Sequence, residues 1–251
     1  MNKIVWITGA GTGIGKALAL AYNADGDTII LSGRKRDSLD DVAAQLQDSF
    51  VHPLDVADEQ AILQAVTTVK EKYGKVDILI NNAGVSQRSL VTETNNDVGR
   101  KLMEVNFFGS VHLSKAVLPL MLASGKGNIV GMSSAAGKFG FPLRSYYSAS
   151  KHALHGFYET LGLELKDTEI YTTMVCPGRI KTDLSKSAMT GDGAPHEAMD
   201  PGQANGIDAD VCARKIKRAV SRNKAEVYIG GSEILMIYFK RYAPWLFRFI
   251  A

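Results

Sequence analysis

The stretch TGAGTGIG, residues 8–15, directly follows an apolar run at residues 4–7. Glycine loses more backbone freedom on folding than any other residue, so four glycines in eight positions indicate a backbone that turns tightly or approaches another group closely. Between a strand and a helix, such a turn directs backbone N–H groups at a pyrophosphate. The spacing is Gly9-x-x-x-Gly13-x-Gly15 rather than the commoner G-x-G-x-x-G. Taken alone, the stretch therefore also fits a plain strand-to-helix turn.

On either side of this turn, short runs rich in β-branched residues alternate with longer segments of helical period. The predicted strands cover residues 3–8, 28–32, 50–54, 76–81, 128–133, 170–176 and 226–229. The predicted helices cover residues 13–24, 37–47, 58–73, 95–123, 145–166 and 208–221. This alternation predicts an α/β fold with a parallel sheet and helices on both faces.

Length and composition favour one domain, residues 1–251, with 45% hydrophobic residues to build its core. The net charge is +3 and the charges of both signs are interspersed, which is not the pattern of a nucleic-acid-binding protein. Two cysteines fit a reducing compartment, and we expect a cytoplasmic protein. Too few residues precede the first apolar run for a signal peptide, and no run of 18 apolar residues predicts a membrane span.

Four further motifs follow the glycine turn in order: NNAG at 81–84, SSAAG at 133–137, YSASK at 147–151 and PGRIKT at 177–182. With the turn, they resemble the short-chain dehydrogenase/reductase family over nearly the whole chain. The segment at 137–157 is most similar to the hydroxysteroid-dehydrogenase-like subset. The resemblance implies a Rossmann-type, doubly wound sheet of seven parallel strands, a nicotinamide cofactor, and an active site at the carboxyl ends of the strands.

Tyr147 and Lys151 are four residues apart in a helical segment, so their side chains share one face. A phenol has a pKa near 10, and proton exchange near neutral pH requires a decrease of roughly 3 pH units. A cation about 5 Å away at an effective dielectric constant of ~20 supplies on the order of 3 kcal/mol toward that decrease. We therefore predict that Lys151 activates Tyr147. Tyr146, five residues from the lysine, points elsewhere on the helix.

The resemblance implies two further catalytic residues. The family places its serine thirteen residues before the tyrosine, which selects Ser134 over Ser133 as the donor to the substrate oxygen. Asn106 lies inside a helical pattern, where asparagine is unfavourable. In the family, this asparagine bends its helix and holds a water molecule that links the lysine to solvent. An asparagine that faces solvent is the alternative.

The end of the second predicted strand indicates the cofactor. An enzyme selective for NAD carries an acidic residue there, whereas this chain has Gly33 followed by Arg34, Lys35 and Arg36. Because arginine binds phosphate in a bidentate manner, Arg34 favours NADP(H) over NAD(H). The motifs place the cofactor against Gly9, Thr12, Gly13, Ile14, Gly15, Arg34, Asp55, Val56, Asn82, Ala83, Gly84, Tyr147, Lys151, Pro177, Gly178, Ile180 and Thr182.

Two segments do not follow the β-α pattern. Residues 185–206 contain four glycines and two prolines, and we predict a mobile lid over the substrate. Residues 233–251 form an aromatic, basic tail that fits a subunit contact or a wall of the substrate pocket, with a peripheral membrane contact as the alternative. His152, His155 and Glu159 share a helical spacing, but we expect them to be solvated and predict no metal site.

The sequence thus predicts an oxidoreductase dependent on NADP(H) that transfers a hydride between nicotinamide and the carbonyl or secondary alcohol of a mainly apolar small molecule. We expect a homodimer or homotetramer and no nucleic-acid partner. The alternatives are a Rossmann protein that senses the cofactor without turnover and one that acts at a membrane surface. Fold analogy does not name the substrate.

Overall fold

A computed structural model describes residues 2–250, so the terminal residues of the expected domain 1–251 and tail 233–251 lie outside it. Seven parallel strands form one sheet in the order β3-β2-β1-β4-β5-β6-β7, which confirms the predicted doubly wound Rossmann-type fold. The strands are β1 (Ile4–Thr8), β2 (Thr28–Ser32), β3 (Ser49–Val51), β4 (Ile78–Asn81), β5 (Lys126–Met132), β6 (Glu169–Pro177) and β7 (Glu226–Ile229).

The helices cover both faces of this sheet. They are α1 (Gly13–Asn23), α2 (Arg36–Ala43), α3 (Glu59–Tyr73), α4 (Asn96–Met103), α5 (Gly109–Ser124), α6 (Ser145–Glu164), α7 (Pro201–Ala204), α8 (Ala209–Val220), α9 (Leu235–Tyr242) and α10 (Pro244–Ile250). The residues of β1 alternate between two cores, as a buried parallel strand requires. Trp6 packs on the side of α3, α5 and α6, and Ile7 packs on the side of α1, α2 and α8.

The glycine turn has the backbone that its composition predicts. Gly9 and Gly13 have φ angles of 63° and 53°, in the left-handed region that side chains disfavour. At Gly15, a Cβ atom would overlap the carbonyl oxygen of Gly9, so only glycine lets α1 begin against the end of β1. The turn therefore brings the N-terminus of α1 to the carboxyl ends of the strands.

The helical segment from Asn96 to Ser124 meets the length and hydropathy criteria for a membrane span, although it contains no run of 18 apolar residues. It has 29 residues and a mean hydropathy of 1.3 over its most apolar 18-residue window, which suffices by length and composition alone. In this structure Leu113, Val117 and Met121 on α5 pack fully buried in the core beside the sheet. Core helices of this kind satisfy the same criteria.

Candidate active site

One cleft of about 930 Å³ runs along the carboxyl ends of the strands. It is lined by fifteen of the residues predicted for the site: Gly9, Thr12, Gly13, Ile14, Arg34, Asn82, Ala83, Gly84, Ser134, Tyr147, Lys151, Pro177, Gly178, Ile180 and Thr182. These residues come from loops that follow β1, β2, β4, β5 and β6 and from the first turns of α6. The fold thus joins the glycine turn and the Tyr-Lys pair in a single cavity.

Tyr147 and Lys151 lie on the buried face of α6, as their spacing predicts. The Lys151 Nζ atom is 5.8 Å from the centre of the Tyr147 ring and donates a hydrogen bond of 2.8 Å to the carbonyl oxygen of Met132 at the end of β5. Ser134 follows that same strand, and its hydroxyl accepts a hydrogen bond of 3.2 Å from the Ala136 backbone N–H. The three side chains therefore converge from α6 and β5.

Burial controls the proton equilibria of this pair. It lowers the pKa of Lys151 to about 8, an effect that the nearby Cys176 opposes. Burial also raises the pKa of Tyr147 above its usual value, while the Ser134 hydroxyl and the Arg144 guanidinium act in the opposite direction. The prediction that Lys151 brings the tyrosine pKa down is thus not seen in the structure, because desolvation outweighs the neighbouring charges.

Tyr146 faces away from the cleft, in agreement with the choice of Tyr147. Its hydroxyl donates to Asn96 Oδ1 over 3.2 Å, and its ring covers Gly99 on α4. The phenol of Tyr146 is therefore engaged in a packing contact between two helices rather than in the cavity.

Asn106 does not face solvent. It is buried in a π-helical turn, Glu104–Phe108, that interrupts the helical segment between α4 and α5. Its Oδ1 accepts from the Val85 N–H over 2.8 Å, and its Nδ2 donates to the Val85 carbonyl over 2.9 Å and to the Ser150 hydroxyl over 3.0 Å. The side chain thus joins the loop after β4 to α6, one residue from Lys151, without lining the cleft itself.

The corner of the cleft at the end of β2 is cationic. Arg34 and Lys35 line it together with Ser38, whereas Arg36 turns away to pair with Asp40 over 3.2 Å. Arg34 is exposed, and no acidic residue of the described chain lines this corner. Sequence reasoning missed Ser38, which only the close approach of α2 to the glycine turn brings there.

Asn82 connects the glycine turn to the end of β4. Its side chain donates to the carbonyl oxygens of Thr8 and Gly9 over 2.9 and 3.1 Å, and the hydroxyl of Thr8 accepts from the backbone N–H groups of Asn82 and Ala83. Three residues predicted to contact the cofactor lie outside the cleft lining: Gly15 under the turn, Asp55 exposed beyond β3, and Val56 buried against Gly109.

The segment 185–206 lines the opposite wall of the cleft. The sequence predicts a mobile segment here, and in the structure Met189 forms backbone hydrogen bonds with Ser86 and Arg88, while Asp200 binds two arginines. The Asp200 Oδ2 atom is 2.7 Å from Arg88 and 3.1 Å from Arg144. In this structure the segment is therefore fastened over the loop that follows β4.

The aromatic tail supports the cleft from behind. Phe247 on α10 packs edge-on against Phe139, with ring centres 5.5 Å apart, and Phe139 lines the cleft. Of the described tail residues, only Glu233 reaches the lining, so the aromatic residues do not themselves form its wall. Glu233 accepts from the Arg179 N–H over 2.8 Å and fills the space beside Gly178. Its position as the last acidic residue of the chain is a signal that could have drawn attention to it.

The structure also gathers a group of polar residues that sequence spacing did not predict. The expectation that His155 is solvated is wrong, because it lies buried in this group. His155 Nδ1 lies 3.4 Å from Glu226 Oε1, and Cys176 Sγ lies 3.5 Å from the same oxygen. Lys138 already forms an ion pair with that oxygen, and burial raises the pKa of the Cys176 thiol. An ammonium ion on the carboxylate opposes a metal ion there, and we therefore interpret the group as a polar network behind the site.

Comparisons with known proteins agree with this geometry. Residues 3–192 match the model of the short chain dehydrogenase family. The rat protein "Dehydrogenase/reductase SDR family member 7B" is 40% identical over 257 residues, which cover 98% of this chain and 79% of the rat protein. A short-chain dehydrogenase structure from Streptomyces avermitilis is 32% identical with a TM-score of 0.88 over 98% of this chain and 95% of its own. An alcohol dehydrogenase from Thermococcus sibiricus, complexed with 5-hydroxy-NADP, is 25% identical with a TM-score of 0.80 over 93% and 98% of the two chains.

Proposed function

The chain belongs to the short-chain dehydrogenase/reductase family, whose fold binds a nicotinamide cofactor, and from this premise we propose that it is a carbonyl reductase or alcohol dehydrogenase dependent on NADP(H). The convergence of Tyr147, Ser134 and Lys151 on the cleft that also holds the glycine turn is the observation that carries the proposal. A cofactor bound along the turn and a substrate bound at the tyrosine would share one cavity.

The proposed reaction consists of a hydride transfer and a proton transfer. A nicotinamide bound in the cleft would supply or accept the hydride at the carbonyl carbon. Tyr147 donates the proton to the substrate oxygen in reduction and takes it back in oxidation, while the Ser134 hydroxyl polarises that oxygen. With a pKa of about 8, Lys151 keeps its proton at neutral pH, and its ammonium ion stabilises the phenolate. Asn106 holds the loop after β4 against α6, so it acts as a positioning residue.

The cofactor-binding end fits a dinucleotide phosphate. The left-handed Gly9 and Gly13 shape a turn that side chains would fill, and its N–H groups and the α1 dipole favour a pyrophosphate. Arg34, which makes no ion pair in the described chain, is available for a 2′-phosphate, whereas Arg36 is already paired. A phosphate at this corner would meet two cations and the Ser38 hydroxyl, which supports NADP(H) over NAD(H).

The substrate end of the cleft supports a mainly apolar carbonyl compound. The lining of the cleft includes the apolar residues Phe139, Phe141 and Leu184. Residues of segment 185–206 line the opposite wall of the cleft, and this segment is the proposed lid. Excluding water here would strengthen every electrostatic interaction at the reacting oxygen.

Substitution of the two adjacent tyrosines tests the proposal. Tyr147→Phe is expected to reduce turnover by a factor of roughly 10² to 10⁴, the usual worth of general acid catalysis, with NADPH affinity nearly unchanged. The matched control is Tyr146→Phe, which removes a hydroxyl bonded outside the cleft and should be mild. The measurement is NADPH oxidation across a panel of carbonyl compounds. Turnover retained in Tyr147→Phe, or no turnover of any carbonyl by the wild type with either cofactor, would refute the proposal.

A further inference from the structure

The C-terminal helical pair, α9 and α10, presents an aromatic face that none of residues 2–250 covers. Tyr242, Trp245 and Phe249 have exposed fractions of 75%, 74% and 87%. On the opposite side of the pair, Ile237 and Phe247 are buried against the polypeptide that follows β5. The pair is therefore amphipathic, with one apolar side used for folding and a second left in solvent.

The helical pair is also cationic. Lys240, Arg241 and Arg248 are all exposed, and no Asp or Glu occurs between residues 234 and 250. Two of these cations lie over aromatic rings, with Lys240 Nζ 5.3 Å from the centre of the Phe247 ring and Arg241 5.9 Å from that of Tyr242. Arg241 thus lies beside the exposed Tyr242, and Lys240 borders the buried Phe247 at the edge of the same helical pair.

We propose that this face, α9 together with α10, binds the surface of an anionic lipid bilayer. Tryptophan and tyrosine favour the boundary between headgroups and acyl chains, because they carry an apolar ring and a polar group. Lysine and arginine beside them would meet lipid phosphates, and their apolar stems would extend along the interface. The exposed aromatic residues supply the apolar insertion and the three cations supply the attraction.

A second copy of the chain is a less suitable occupant. A symmetric contact centred on the pair would place Lys240, Arg241 and Arg248 of both copies at one interface, with no acidic residue of either pair to neutralise them. Charges of one sign at a contact cost free energy, whereas an anionic surface compensates all of them. Phe247 and Phe139 connect the pair to the cleft, so the bound face adjoins the site that takes an apolar substrate.

Vesicle flotation of the full chain is the test. Vesicles of phosphatidylcholine with and without phosphatidylglycerol are compared at low and high salt. At about 1 kcal/mol for each cation near an anionic surface, three cations predict binding about a hundredfold tighter to the anionic vesicles, and high salt should reverse it. The fluorescence of Trp245 should shift to the blue on binding, because the other tryptophan, Trp6, is already fully buried.

Two sets of variants separate charge from insertion. Replacing the three tail cations by glutamine (Lys240→Gln, Arg241→Gln, Arg248→Gln) should abolish the preference for anionic vesicles, and Trp245→Ser with Phe249→Ser should abolish binding. The charge-matched control replaces three exposed lysines elsewhere, Lys70→Gln, Lys166→Gln and Lys224→Gln.

Three outcomes would overturn the proposal. The first is a wild type that does not float with anionic vesicles at low salt. The second is equal loss of binding in the charge-matched control and in the tail variant, which would show an effect of net charge alone. The third is a wild-type oligomer that the tail substitutions dissociate without any lipid binding, which would assign the face to a second copy. Circular dichroism verifies that each variant is folded.

Discussion

Replacing Lys151 by methionine is expected to stabilise the cofactor-free protein while it abolishes activity. The ammonium ion is buried, with one hydrogen bond of 2.8 Å to the Met132 carbonyl. Burial lowers its pKa from 10.5 to about 8, which corresponds to roughly 3 kcal/mol against folding wherever the lysine is charged in both states. Methionine has a similar stem without the charge. Loss of the hydrogen bond costs about 1 kcal/mol, so a net gain of roughly 2 kcal/mol is expected at pH 6.5.

The stability advantage of Lys151→Met should depend on pH. Because the pKa of Lys151 is lower in the folded chain than in the unfolded chain, the unfolded chain binds more protons between about pH 8 and 10.5. The contribution of this group to the free energy of unfolding therefore rises with pH between about pH 8 and 10.5, and the full destabilisation by the buried charge applies below pH 8. At about pH 9.5, roughly 2 kcal/mol of the penalty is relieved in the wild type. The advantage of Lys151→Met should shrink by that amount.

Urea unfolding at the two pH values measures both quantities, since the midpoint and slope give the free energy of unfolding. Taking the difference between wild type and variant cancels the titration of all other groups. The matched control is Lys70→Met, at an exposed position on α3, which should change stability little at either pH. A variant less stable than the wild type at pH 6.5, or a difference that stays the same at both pH values, would show that the buried ammonium ion is not a source of strain.

Two further predictions concern the ends of the cleft. Arg34→Ala should weaken NADPH binding by ~1.5 to 3 kcal/mol in titration calorimetry and leave NADH binding nearly unchanged. The matched control is Arg36→Ala, because Arg36 already forms an ion pair with Asp40. Equal losses of affinity for both cofactors would contradict the assignment. Segment 185–206 should gain protection from amide exchange when NADPH and substrate bind, and Asp200→Asn should lower this protection because it weakens the ion pairs with Arg88 and Arg144. Asp192→Asn is the control, because the hydrogen bonds of Asp192 stay within the segment. Equal protection in every state would refute the lid.

Most of the architecture can be predicted from the sequence, because strands and helices each produce a characteristic spacing of apolar residues along the chain. Strands β2 and β7 match their predicted bounds, and the helices differ by a few residues at their ends. The largest difference is the predicted helix at 95–123. It consists of α4, a π-helical turn and α5, and the turn centres on Asn106, the residue whose helix propensity disagreed with its surroundings. The unfavourable helix propensity of asparagine predicted that Asn106 is unusual, but its hydrogen-bond partners, the Val85 backbone and Ser150, depend on the fold.

Contacts between residues distant in sequence account for what the pattern missed. Glu233 reaches Gly178 because a 3-10 turn after β7, Ser232–Ile234, brings the chain back over the end of β6. Asp200 meets Arg88 across 112 positions. Neither contact produces a periodic pattern in the sequence, so neither can be predicted from one sequence. The same limit explains the electrostatics. Charge spacing predicted that Lys151 would assist Tyr147, but spacing does not reveal burial, and burial sets the direction in which both pKa values move. The lysine that serves the proposed chemistry therefore lowers the stability of the fold while it is charged, and the methionine substitution measures this loss of stability.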